Sequence, residues 1–158
     1  MSVQTSYAQT PAIAFNGMLA EPFSLRQVDT GTVSSAAAIS LGSPVVFDGD
    51  EYATAGTQEQ VKGIAIFNNS DVEQLTDSTF EYAAETLLPV LKKGRFYGIA
   101  DGAIAKGATV AWVVASGKWS TTIDANSTYG ACVVVEASAA DGDLILLEFD
   151  ALSTAAAS

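Results

Sequence analysis

Histidine is absent from the 158 residues, and cysteine occurs once, at Cys132. The first absence removes Ser-His-Asp and Cys-His catalysis, the usual zinc sites and an imidazole pH switch. The second excludes an internal disulfide, so cysteine usage says nothing about redox compartment. Basic residues are scarce, 7 against 18 acidic, for a formal charge of −11. Phosphate-backbone binding needs clustered Lys and Arg, so no nucleic-acid partner is expected. No run approaches the roughly 20 apolar residues of a spanning helix. Residues 1–10 lack the basic and apolar regions of a signal peptide. The composition therefore predicts an intracellular origin and no membrane partner.

What is present suffices for a folded body. The chain is 49% apolar and only 16% charged, too apolar and too weakly charged for disorder. Its length fits one domain. Residues 1–37 differ from the rest: their only charges are Glu21, Arg26 and Asp29. Their apolar side chains, among them Tyr7, Ile13, Phe15, Met18, Leu19 and Phe23, show no helical period. Pro11 and Pro22 bias their neighbours to extended geometry. The segment reads as an extended N-terminal arm that needs a surface to lie on, either its own domain or a neighbour.

From residue 38 onward, short apolar runs alternate with Gly, Asp, Asn and Ser clusters. Strands are expected at 44–47, 61–67, 86–91, 95–100, 109–115, 118–121, 131–136 and 144–149, with another starting near Phe80. Asp48-Gly49-Asp50 turns the chain, and Lys92-Lys93-Gly94 looks like a hairpin connection. Ser116-Gly117 suits a two-residue hairpin loop, since Gly tolerates the positive φ such turns require. Strands this short and frequent predict an all-β fold, a small barrel or sandwich of mainly antiparallel strands over residues 38–150. Residues 151–158 read as a flexible C-terminal tail.

A weak repeat runs through this region. Residues 38–45 and 103–110 share the pattern A-I-x-x-G-x-x-V, each leading to an aromatic, Phe47 or Trp112. Further on, residues 63–66 correspond to 130–133. Two related β units follow, neither able to bury its face alone.

The search for chemistry is unproductive. Asp48, Asp50 and Glu51 cluster, as do Asp141 and Asp143, each around a turn glycine. The spacing of a calcium loop is missing, and solvated turns are the simpler reading. Cys132 lies in the apolar run 131–135, where a thiol is a small hydrophobe. No catalytic residue, cofactor site or metal site is assigned. Lys92, Lys93 and Arg95 form the one basic cluster, read as a charged hairpin tip or a salt-bridging patch toward an acidic partner. Trp112 alternates with Val110 and Val114 and belongs to the core. Trp119 is a candidate interface anchor.

The order of segments carries a resemblance. A near-neutral arm precedes A-I-S-L-G-S-P-V-V-F and V-K-G-I-A-I-F. Then come L-L-P-V-L-K-K-G-R-F-Y, A-I-A-K-G-A-T-V-A-W-V-V-A-S-G-K-W and D-G-D-L-I-L-L-E-F. This resembles the capsid decoration, or structural cement, proteins of tailed bacteriophages over residues 38–150. The resemblance implies a β-rich, homotrimeric virion protein without enzymatic activity. It would sit on the outer surface of the expanded capsid and bridge neighbouring major capsid protein subunits. It makes Tyr7, Pro11, Ile13, Phe15, Met18, Leu19 and Phe23 the candidate arm contacts, to capsid or to a sister subunit. Lys92, Lys93, Arg95 and Trp119 are further interface candidates. Another virion module, such as a tail, fibre or carbohydrate-binding domain, is the alternative.

Overall fold

The computed structural model describes residues 16–20, 27–67, 81–128 and 132–151. Among the described residues, eleven strands run β1 Gln27–Thr32, β2 Ile39–Ser40, β3 Pro44–Asp48, β4 Glu51–Thr54, β5 Gly63–Ala65, β6 Glu81–Tyr82, β7 Leu87–Ile99, β8 Thr109–Val113, β9 Lys118–Ser120, β10 Cys132–Glu136 and β11 Leu144–Asp150. The described residues contain no helix. Nine strands form one antiparallel sheet in the order β4-β3-β5-β7-β11-β10-β8-β9, with β1 also on β7. β2 and β6 form a separate pair. The all-β expectation holds. The body, however, begins earlier than residue 38: β1 lies inside the segment expected as an arm and is in register with residues 87–93 of β7.

The sheet is two tandem copies of one unit, fused through β7. In the first unit, β1 pairs antiparallel with the first half of β7, and Val28 faces Leu91. In the second, the latter half of β7 pairs with β11, and Arg95 faces Glu148. Hairpin β3–β4 corresponds to β8–β9, with Phe47 opposite Tyr52 and Trp112 opposite Trp119. β5 corresponds to β10. The loop hydrogen bonds repeat as well: Gly42 N–H donates to Ala65 O at 2.7 Å and Gly107 N–H to Val134 O at 2.8 Å. Both glycines have positive φ, 77° and 84°, which a Cβ would oppose. The sequence repeat is therefore structural, with one adjustment. Val45 pairs with Gly63 and Val110 with Cys132, so Gly63 corresponds to Cys132 and not to Gly130.

Each unit curls until its outer strand meets its first strand. Ser34 N–H donates to Tyr52 O and Asp101 N–H to Trp119 O, both at 2.8 Å. Parallel bridges Val33–Tyr52 and Ala100–Trp119 lie beside them. Such curling needs a close approach, and glycine supplies it at matching positions. A Cβ on Gly31 would lie 2.3 Å from Tyr52 Cε2; one on Gly98 would lie 2.7 Å from Trp119 Cδ1. The two cores match in turn. Val33, Ile39, Val45, Tyr52, Leu88 and Val90 fill the first. Ala100, Ile104, Val110, Trp119, Ile145 and Leu147 fill the second.

Lys92-Lys93-Gly94 does not turn the chain, contrary to the hairpin expectation. It lies in the middle of the 13-residue strand β7. Gln27 pairs with Lys93 and Val28 with Leu91, so Lys92 is the extra residue of a β-bulge. The bulge shifts the side-chain phase by one. Leu91 and Phe96 both have 0% exposure and share one core cluster although five positions apart, which simple alternation forbids. That phase break is what the sequence displays as an interruption.

Candidate docking surfaces

Several polar and reactive side chains among the described residues are built into structure. Cys132 is fully buried, and burial pushes its thiol well above the ordinary range. Asp48 accepts from Ser34 Oγ at 2.6 Å. Asp143 Oδ2 accepts from the Ala139 and Ala140 amides at 3.2 and 2.9 Å, closing its turn. Asp141 holds Lys118 Nζ at 2.8 Å. That contact lowers the carboxyl pKa and raises the ammonium pKa. Among the described residues, no three His, Cys, Asp or Glu side chains converge as metal ligands. An open depression of about 360 Å³ lies between the hairpins, lined by Asn16, Leu41, Thr54, Trp112 and Ser116. No titratable side chain lines it, so it offers no acid–base chemistry.

The interface candidates fall in different places. Tyr7, Pro11, Ile13, Phe15 and Phe23 lie outside the described residues. Met18 and Leu19 lie on the chain's own body. Residues 16–20 add antiparallel to the second half of β7: Gly17 N–H donates to Tyr97 O at 2.8 Å, Tyr97 N–H to Met18 O at 2.9 Å and Ala20 N–H to Arg95 O at 3.2 Å. Leu19 bridges Phe96 and packs on the second core. Trp119 is 1% exposed, edge-on to Phe96 with centroids 5.7 Å apart. It is a core residue, corrected from the anchor expectation, because Gly98 gives its indole room against β7.

Lys93 and Arg95 lie along β7 and pair across it, with Asp150 at 3.6 Å and Glu148 at 3.1 Å. With both side chains partly exposed, each pair contributes about 0.2–1 kcal/mol. Val133, opposite Glu148, is 48% exposed, so apolar surface is available beside these charges.

Lys92, ejected by the bulge, organises a second surface. Its Nζ donates to Lys62 O at 2.9 Å and lies 4.9 Å from the ring centroids of both Phe47 and Tyr52. The rings stack at 5.0 Å, and such cation–π contacts contribute about 0.5–1 kcal/mol. Burial lowers the Lys92 pKa. Burial and then the Asp29 carboxylate push the Tyr52 phenol up to about 12. Tyr52 is 3% exposed, yet Phe47 beside it is 55% exposed. The second unit differs here: Trp112, at the position of Phe47, is 8% exposed. The sequence signals missed were Gly31 and Gly98, each spaced to seat an aromatic of the following hairpin.

Two curled antiparallel units with partly apolar outer faces define an all-β scaffold. The chain belongs to the phage structural cement proteins, described as "structural cement protein (E217 gp24/Pam3 gp6)", whose family pattern matches residues 3–150. Its role is that of a virion structural protein. It is similar in fold to a chain from the capsid of Myoviridae phage XM1, at TM-score 0.65 and 16% identity, over 95% of this chain and 98% of that one. It is also similar to the head fiber gp8.5 N base of bacteriophage phi29, at TM-score 0.51 and 16% identity, over 79% and 96%. No curated protein sequence matches the chain.

Proposed function

We propose that this protein binds the outer surface of an expanded phage capsid and stabilises it by bridging neighbouring major capsid protein subunits, as a homotrimer and without enzymatic activity. Family membership over residues 3–150 carries the reading. The physical mechanism is linkage: a ligand that binds only the expanded shell favours it by about 2.7 kcal/mol at a hundredfold excess over Kd. Three linked copies add avidity. The −11 charge suits a surface facing solvent rather than packaged DNA.

The arm is the contact region in this reading. Leu19 packs partly on the protein's own core, and Tyr7, Pro11, Ile13, Phe15, Met18 and Phe23 are the arm residues we propose for capsid or sister subunits. The experiment is co-sedimentation with expanded empty capsids, using the full chain and a chain lacking residues 1–15. The docked segment 16–20 stays in both. The full chain should pellet with capsids and the shortened chain should bind at least tenfold more weakly. Equal binding by the two would remove the arm from the interface. Sedimentation equilibrium of the free protein tests the trimer, and a monomer mass on and off the shell would overturn it.

A further inference from the structure

The two units differ in one respect that points to a docking site. In the second unit, the edge of β7 away from β11 is occupied by residues 16–20, through Arg95 and Tyr97. The corresponding positions of the first unit are Val28 and Thr30 on β1. Val33 N–H donates to Thr86 O and Ser34 N–H to Tyr52 O. Alternation then points Asp29 and Gly31 toward β7, and Val28, Thr30 and Thr32 away from it. Among the described residues, no strand pairs with this outward edge: β1 is in register with β7 alone. Its residues 27–30 are exposed, Val28 at 45%. The one local answer to the open edge is the Asp29 side chain, whose Oδ1 accepts from Thr30 N–H at 2.9 Å.

Among the described residues there is one such segment and there are two equivalent edges, so the edge of β1 has no strand on it there. The occupied edge shows what fits. Asn16-Gly17-Met18-Leu19-Ala20 is extended and antiparallel, with one side chain, Leu19, set against Phe96. The counterpart of Phe96 is Asp29. Asp29 belongs to none of the ion pairs among the described residues, although its charge reaches both Tyr52 and Lys92. A segment seated there would place, opposite Asp29, the residue corresponding to Leu19.

We propose that the outward edge of β1 takes up an extended segment of another protein as an added antiparallel strand, with a Lys or Arg of that segment opposite Asp29. Strand addition draws affinity from main-chain hydrogen bonds and selectivity from alternate side chains. A second copy added through its own β1, paired about Asp29, would oppose two Asp29 carboxylates, so that pairing is disfavoured at this edge. Resting on the function proposed above, the donor is a capsid subunit.

The test combines hydrogen exchange and co-sedimentation, using the full chain and expanded empty capsids. On binding, the Val28 and Thr32 amides should gain protection. Val28→Pro removes an outward N–H that no ladder bond uses, so the free protein should melt within about 2 °C of the parent, as edge proline allows. Its capsid affinity should fall at least tenfold. Asp29→Lys, which leaves the backbone alone, should weaken binding comparably and cover the case where the proline variant misfolds. If the parent binds capsids while these amides exchange freely and Asp29→Lys binds as the parent does, the edge proposal is wrong and the capsid function stands. If the parent does not bind at all, the capsid function itself fails. Protection that appears in free protein as its concentration rises would make a second copy the occupant and overturn the choice of partner.

Discussion

Replacing Gly98 by alanine tests how the second unit is closed. Gly98 does not have positive φ, so alanine is allowed by the backbone and the cost must come from packing. The new Cβ would lie 2.7 Å from Trp119 Cδ1 and Nε1 and 3.0 Å from Leu147 Cδ1. Both side chains are buried, at 1% and 0% exposure, and Trp119 is wedged against Phe96, so neither can swing aside. Overpacking of this kind costs about 1–3 kcal/mol. The lower chain entropy of alanine returns about 0.4–1 kcal/mol. A net loss of about 1–2 kcal/mol is expected, lowering the melting temperature by about 2–4 °C per kcal/mol for a chain of this size. Trp119→Phe shrinks the ring that meets the new methyl. It destabilises alone by leaving a cavity, yet should relieve part of the clash in the double variant. Urea unfolding of the four proteins then gives a coupling of about 0.5–1.5 kcal/mol in the stabilising direction. Additive losses, or a Gly98→Ala protein as stable as the parent, would refute the idea that this glycine exists to seat the indole.

Three further outcomes follow from the same geometry. The Tyr52 phenol should titrate near 12. Because the folded value lies above the unfolded value of about 10, the associated stability is complete below 10 and is lost as pH rises toward the folded value. Asp29→Asn should bring the absorbance-monitored titration down, and an unchanged curve would show that Asp29 does not act on the ring. The Asp141 carboxyl should titrate below its ordinary 3.8 through its bond to Lys118, its small contribution being present above that value and fading as pH falls. Carbon-detected NMR of Lys118→Ala should show it returning upward. Finally, Ser138 Oγ accepts from Ile104 N–H and donates to Gly102 O, both at 3.0 Å. Because Ile104 N–H is shared with Ser138 O at 3.2 Å, Ser138→Ala leaves that amide partnered and should cost about 0.5–1.5 kcal/mol in urea unfolding, the net worth of the lost hydroxyl bonds, and a change below measurement error would contradict that role.

The parts of the fold legible in the sequence were those set by local chemistry. Asp48-Gly49-Asp50 marks the β3–β4 turn, with Asp48 opposite Glu51, and β10 and β11 pair as their spacing suggests. The repeat was legible because Gly42 and Gly107 must each adopt positive φ before an apolar strand. What could not be read was set by distant partners. The phase break at Lys92 looks the same in sequence whether it is a turn or a bulge, and only pairing with both β1 and β11 makes it a bulge. Ser116-Gly117 belongs to a four-residue connection, since Val113 and Lys118 are the last strand pair and Gly117 N–H donates to Val113 O. Trp119 is buried by a glycine on another strand, which no local pattern reports. β1 was hidden in the arm because its residues 27–30 are exposed and show no apolar alternation.

The central claim is that this protein stabilises an expanded capsid by binding it. The most direct measurement is the melting temperature of expanded empty capsids, with and without saturating protein, beside a co-sedimentation isotherm. Binding should be saturable and the capsid transition should rise with protein concentration, as linkage requires. Capsids that melt at the same temperature at every protein concentration, with no protein in the pellet, would contradict it.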